Sequence, residues 1–309
     1  MAAAHSRHLL SHRALPHNPP IMTFTRNPIL KYPPEGVRAQ EQLARPKAIL
    51  FDLDDTLLDA YGDPHGAWNR LLAQYDHGLE PHVVSRIPHT IQEVARPYWA
   101  DAQWSARWRV DLRGARRMVL RETFEKLELL DRTAAEGAMH RLADALADAF
   151  FELRKSEYKL FPDALPVLAA LRAEGVKLAL ITNGGADIQR HKVTRFELEN
   201  YFDHVQIEGE FGKGKPEREV YLHALSKVGC EACDTWMVGD NLEWDVLAPK
   251  REGIHGIWFD PHKRGLEGAM HTGVPHAAAR EGRLEAQPDR IIHELPELLD
   301  LPERGCALR

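Results

Sequence analysis

Asp52, Asp54 and Asp55 fall within four positions and Asp59 follows closely, directly behind the apolar run Ala48–Phe51 in the stretch AILFDLDDTLLD. Carboxylates crowded in this way repel one another, and the cluster is costly unless something binds there. Three other stretches hold complementary groups: Thr182-Asn183-Gly184-Gly185, Gly212-Lys213-Gly214-Lys215-Pro216 and Gly239-Asp240-Asn241-Leu242-Glu243-Trp244-Asp245. Between them they offer acids, a hydroxyl and lysines. The acids can share a hard divalent cation, and Mg2+ is the natural choice because it takes oxygen ligands and keeps several waters. A phosphate anion could not approach such an acidic cluster without it. These stretches contain none of the histidine or thiolate ligands that zinc favours.

Regular elements must bring the four stretches together. Lys47–Phe51 has the length and apolarity of a short buried strand. Further strands are expected at 176–181, 204–207, 235–238, 256–259 and 290–292. Helices are expected at 165–173, 188–198, 217–228, 243–251 and 295–299. Repeated β-α units mean a parallel sheet covered on both faces. In such a sheet ligands bind beyond the carboxyl ends of the strands. Each stretch follows a strand, the third through a loop, so the acids, hydroxyl and lysines gather at one rim.

From Gly66 to Lys155 the periodicity is helical instead. Leu142, Leu146 and Phe150 share one helix face, and Trp104, Trp108 and Leu112 recur at four-residue spacing. The tryptophans of this block read as helix-bundle core. The fold class is therefore α/β, with a Rossmann-like parallel sheet core over residues 47–65 and 156–309 and an inserted α-helical cap domain over 66–155. Residues 1–46, acid-free from Met1 to Pro34, read as a flexible N-terminal extension, and 261–287 as a long irregular insertion.

Asp52-Leu53-Asp54-Asp55-Thr56, Thr182-Asn183-Gly184, Lys215-Pro216 and Val238-Gly239-Asp240 through Asp245 resemble the four motifs of the haloacid dehalogenase (HAD)-like superfamily, in its phosphatase branch. A Lys-Pro pair or a Gly-Asp dipeptide alone is a weak signal. Four stretches in the family's order, spanning residues 47–259 and each behind its strand, are a specific one. The resemblance implies a HAD-like hydrolase in which Asp52 is the nucleophile that forms an aspartyl phosphate. Asp54 would protonate the leaving alkoxide and then deprotonate the attacking water. Thr182, Asn183 and Gly184 would bind the phosphate, and Lys215 would neutralise its charge and steady Asp52. Mg2+ would sit on Asp52, Asp240 and the backbone carbonyl of Asp54, with Asp245 in support. A retained Asp54 separates this chain from the family's dehalogenases, which lack the second acid because halide leaves without a proton. Pro249 departs from the family pattern, which has a small residue there, and bears on the regularity of the helix after Asp245.

The implied function is hydrolysis of a small-molecule phosphorylated metabolite of nucleotide, sugar phosphate or phosphoglycolate type. The alternatives are a phosphomutase of the same superfamily and a non-catalytic phosphate-dependent regulatory protein on this fold. A net charge of −6 leaves no footprint for nucleic acid. No apolar run approaches the roughly 18–20 residues that span a bilayer. Cys230, Cys233 and Cys306 cannot all pair within one chain, which favours a reducing, cytoplasmic setting, with the chain as a monomer or homodimer. Cys230 and Cys233 have metal-like spacing but no second pair nearby. Arg107, Arg109, Arg113, Arg116 and Arg117 read as a solvated helix face, one or two of them free to reach an acidic substrate. His262, His271 and His276 read as solvated loop residues.

Overall fold

The sheet is built outward from Ala48–Phe51 (β1), four residues with no exposure. After β1 come β2 (Leu58–Asp59), α1 (Pro64–Gln74), α2 (Pro81–Val84), α3 (Ile87–Ala100), α4 (Ala102–Trp108), α5 (Leu112–Lys126), α6 (Ala138–Glu157) and β3 (Lys159–Leu160). Strand and helix then alternate through α7 (Ala164–Ala173), β4 (Lys177–Thr182), α8 (Ala186–Arg195), β5 (His204–Ile207), α9 (Glu208–Phe211), α10 (Arg218–Val228), β6 (Thr235–Gly239), α11 (Ala248–Arg251), β7 (His255–Phe259) and β8 (Arg290–Ile292). The computed structural model describes residues 43–130, 137–266 and 287–300. Most of the expected extension and of the 261–287 insertion, with Cys306, His271 and His276, lies outside the described residues.

Six strands pair in parallel in the order β5-β4-β1-β6-β7-β8. Alternate residues of the central strands face opposite sides, and both sides are covered. Ile49, Phe51, Leu178, Leu180 and Val238 pack with Leu168 and Leu171 of α7. Ala48, Leu50, Ala179, Ile181 and Met237 pack with Val220, Tyr221 and Ala224 of α10. This two-sided burial is why the strands read as continuous apolar runs. The order turns at β1, which has β4 on one side and β6 on the other, so a crevice opens at its carboxyl end. Asp52 is the next residue.

The helices between β2 and β3 bury their own core, including Leu72, Leu120, Phe124 and Leu146. Within it Trp68 stacks on Phe150, ring centroids 3.9 Å apart. Acidic N-caps set the helix starts: Asp63 accepts from the Gly66 N–H at 2.8 Å and Asp111 from the Gly114 N–H at 2.9 Å. The cap at Asp111 corrects the four-residue spacing of Trp104, Trp108 and Leu112. The first two lie in α4, which ends at Trp108, while Leu112 opens a new helix, α5. The short strands β2 and β3 pair antiparallel, Leu58 with Leu160 and Asp59 with Lys159; the sequence reading did not find this ribbon.

The helix after Asp245 is also divided. Leu242–Leu247 is a π-helical turn, and α11 begins beyond it. Pro249 has no N–H to return to the carbonyl of residue 245, which disfavours one regular α-helix across this point. Leu295–Leu299 is a 3-10 helix rather than an α-helix. No helix among the described residues is long and apolar enough to cross a membrane.

Candidate active site

Beyond Asp52 the chain folds into a tight loop, in which the N–H groups of Leu57 and Leu58 both donate to the Leu53 carbonyl at 3.0 Å. Asp55 takes the left-handed conformation (φ 61°), which aspartate tolerates better than most residues. Its carboxylate accepts from the N–H groups of Ala60 (3.1 Å) and Tyr61 (2.9 Å). Asp59 accepts from the Gly62 N–H at 2.9 Å. Two of the four crowded aspartates therefore shape the turn, which leaves Asp52 and Asp54 for chemistry. Thr56, fully buried, donates to Asp52 at 3.2 Å and accepts from the Asp240 N–H at 3.1 Å, joining the ends of β1 and β6.

Lys215 is the hub. Its ammonium, 1 % exposed, lies 2.6 Å from both Asp52 Oδ1 and Asp245 Oδ1. The Asn183 side chain holds the loop that carries it, accepting from the Lys215 N–H at 2.7 Å and donating to the Lys215 carbonyl at 2.8 Å. Asp245 also accepts from the Asn241 N–H at 3.0 Å. A Cβ at Gly239 would fall 2.3 Å from the Asp245 carboxyl, so this close approach requires glycine. Lys213, the other lysine of that stretch, is exposed and pairs with Glu219.

Burial pushes the Asp52 carboxyl up to about 7 against the pull of Lys215, with Asp245 and Asp54 adding to the rise. Burial also raises Asp245, against Lys215. It raises Asp240 well above its ordinary range, helped by the charges of Asp52 and Asp245. On Lys215 burial acts to lower the pKa, yet the two carboxylates outweigh it and hold the ammonium above its usual value. Burial is the first cause of the rise in each acid, and the one ammonium, paired with Asp52 and Asp245, does not offset it. Oxygens of Asp52, Asp240 and Asp245 lie within 4.8 Å of one another. Asp240 is tied down through its N–H and carbonyl, and its carboxylate accepts no hydrogen bond from the described residues. An oxygen-only, charge-deficient cluster with one uncommitted carboxylate fits a hard divalent cation.

Asp54 points elsewhere. The Lys192 ammonium reaches its oxygens at 2.7 and 2.8 Å, and Gln189 Nε2 donates to it at 2.8 Å. Gln189 also donates to the Thr182 hydroxyl and accepts from Lys192 at 2.6 Å. The nearest charged neighbour of Asp54 is thus an ammonium, where the sequence pointed to other carboxylates. Gln189 and Lys192 escaped the sequence reading, although three-residue spacing on the helix directly after Thr182 puts both on one face. Asp54, Lys192 and Tyr158 border a cavity of about 900 Å³ that extends between α1, α3, α5 and α6, lined there by Trp68, Trp99 and Arg116 among others. Asp52 lies outside its wall. Two tryptophans assigned to the bundle core therefore also face this space.

Glu208 was missed as well, yet it immediately follows β5 and obeys the strand-end rule that found the other groups. It accepts from the Gly184 N–H at 2.9 Å, so that N–H is already committed to a protein partner. Arg109 grips the same carboxylate through Nε (2.9 and 2.8 Å) and Nη2 (2.7 Å), with 14 % of its side chain exposed. This corrects its assignment to a solvated face: the break between α4 and α5 brings Arg109 down onto the sheet core. Arg113 and Arg117 do lie outside, on Glu152 and Asp148. A double-mutant cycle of Arg109→Ala and Glu208→Ala is expected to give a coupling of about 1.5 kcal/mol or more, as for close, poorly hydrated charge pairs. Coupling within error of zero in urea unfolding would mean that the pair does not form in solution.

A family model described as haloacid dehalogenase-like hydrolase matches residues 46–253. The chain belongs to that family. A second model, described as HAD-hydrolase-like, matches residues 212–298. Phosphoserine phosphatase of Thermus thermophilus is 33 % identical over 268 residues, covering 82 % of this chain and 97 % of that protein. Human N-acylneuraminate-9-phosphatase is 27 % identical, covering 76 % and 90 % respectively. Among solved structures, 2-haloacid dehalogenase from Pseudomonas syringae pv. Tomato DC3000 superposes with a TM-score of 0.50 at 26 % identity, covering 83 % of this chain and 98 % of that one. L-2-haloacid dehalogenase from Xanthobacter autotrophicus gives 0.51 at 22 % identity, over 84 % and 99 %, and shares the fold. The motif resemblance and the sheet order lead to the same HAD-like α/β core.

Proposed function

We propose that this chain is a magnesium-dependent phosphatase of a small phosphomonoester. The observation that carries the reading is the division of labour at the end of β1. Asp52 is enclosed with Lys215 and Asp245, while Asp54, two residues on, stands at the edge of the cavity. An Asp52 oxygen attacks phosphorus and forms an aspartyl phosphate, while the departing alkoxide takes a proton from Asp54. Asp54 then removes a proton from water, which attacks the same phosphorus and releases inorganic phosphate and free Asp52.

Thr182 and Lys215 border the phosphoryl group, Asn183 fixes the lysine loop, and Gln189 with Lys192 aims Asp54. Asp52, Asp240 and the Asp54 carbonyl would hold Mg2+ with Asp245 in support, and the bound cation would offset the charge that a phosphate dianion brings among these acids. The cavity on the Asp54 side supports an oxygen leaving group that needs a proton, in place of halide. The helices from Pro64 to Glu157 then act as a cap over the leaving group. Similarity to phosphatases of phosphoserine and N-acylneuraminate 9-phosphate supports a small soluble metabolite. Unpaired Cys230 and Cys233 agree with a reducing, cytoplasmic setting.

Release of inorganic phosphate from p-nitrophenyl phosphate is the direct test. Turnover is expected with Mg2+, loss of nearly all of it with EDTA, and recovery when Mg2+ is restored in excess. Full turnover in EDTA would remove the metal from the reading, and none under any condition would remove the phosphatase.

A further inference from the structure

The α5 arginines divide into two groups. Arg113, Arg117 and Arg121 form an i,i+4 row paired with Glu152, Asp148 and Asp144 of α6. Arg116 lies off that row, at four-residue spacing between Leu112 and Leu120, and all three border the cavity. No carboxylate pairs with Arg116 among the described residues. Its Nη1 is enclosed and has no hydrogen-bond partner. The guanidinium stands 5.2 Å from the Phe150 ring centroid and 5.3 Å from that of Phe151, which orient it but give its N–H groups no acceptor. Burial lowers its pKa to about 10, and nearby Arg154 and Arg113 carry like charge. Arg154 is occupied by Glu157 and by the carbonyls of Ala60 and Tyr61. A half-buried cation with one enclosed, unpartnered N–H group and no counter-charge is costly in a protein that gains nothing from it.

We infer that Arg116 binds a carboxylate on the leaving group, so that the substrates are phosphomonoesters of hydroxy acids. This rests on the phosphatase reading and names its substrate class. That reading puts phosphorus at Asp52 and the departing oxygen at Asp54, so the alcohol extends into the cavity that Arg116 borders. A monoanion matches the charge available. Lys192 is taken by Asp54 and Gln189, and Arg96 borders the cavity only from an exposed position. A second phosphate dianion would meet one guanidinium and remain half neutralised. Trp68, Trp99 and Phe150 suit the carbon frame between the two charged ends.

The experiment compares kcat/KM within pairs of esters that differ in the carboxylate: O-phosphoserine against O-phosphoethanolamine, and 3-phosphoglycerate against glycerol 3-phosphate. The full-length protein with Mg2+ is expected to prefer the acid of each pair by roughly 10- to 100-fold, the range for a hydrogen-bonded charge. Arg116→Gln should remove that preference, chiefly through KM of the acid, and Arg116→Lys should keep part of it without the two-pronged fork. Arg113→Gln on the same helix should leave the ratio unchanged. If Arg116→Gln does not fold, the wild-type ratio and Arg116→Lys decide. Equal rates within each pair, or a preference that survives Arg116→Gln, would overturn the inference while p-nitrophenyl phosphate turnover keeps the phosphatase reading intact. A stronger, Arg116-dependent preference for fructose 1,6-bisphosphate over fructose 6-phosphate would overturn the carboxylate in favour of a second phosphate. No turnover of any ester would end the phosphatase reading and this inference with it.

Discussion

Asp52→Asn is expected to lower turnover of every phosphomonoester by roughly a thousandfold or more, because on the proposed reading it removes the covalent nucleophile and with it the step on which the others depend. The amide has nearly the shape of the carboxylate, and Lys215 keeps Asp245 as a partner at 2.6 Å, so the variant should fold. Unchanged circular dichroism with loss of phosphate release is the expected pair of results. Activity above a few per cent, with deamidation excluded by mass spectrometry, would assign the attack to another group.

Lys215→Met should act on stability as well as on rate. Methionine nearly fills the space, but the Asp52 and Asp245 carboxylates lose their common cation in a buried site. Leaving such charges uncompensated typically costs about 3–5 kcal/mol. The urea midpoint should therefore move down markedly in the metal-free protein, and millimolar Mg2+ should recover part of the shift by binding only the folded state. A loss below about 1 kcal/mol would mean that the acids take up protons in place of the lysine. A shift indifferent to Mg2+ would separate the stability effect from the cation site.

The strand-end rule made the centre of the site legible. Asp52, Thr182, Lys215, Asp240 and Asp245 each sit where an apolar run or its loop stops, and the parallel sheet brings those stops together. The residues that evaded reading belong to surfaces that linear pattern does not describe. Gln189 and Lys192 are ordinary in a surface helix, and only the turn of α8 carries them onto Thr182 and Asp54. Arg109 was misread because the spacing of Trp104, Trp108 and Leu112 imitates one helix across a break that Asp111 caps. Arg116 resembled its neighbours in type, and its distinction lies in register: it replaces an apolar residue on the inward stripe, where the acids of α6 do not reach.

The β2–β3 ribbon has a consequence for how such a protein can change. The chain leaves the sheet at Asp59 and returns at Lys159, and these two residues are paired partners. Everything between them hangs from a single doorway, so a helical block of different length or lining can be exchanged there without moving a strand of the sheet. Asp52, Asp54, Thr182, Lys215, Asp240 and Asp245 all lie on the sheet side of that doorway, while Arg109 and Arg116 lie on the helical side. On the proposed reading, chemistry and choice of substrate would be inherited on separable parts of the chain, and new specificity could arise by recombination at two adjacent points.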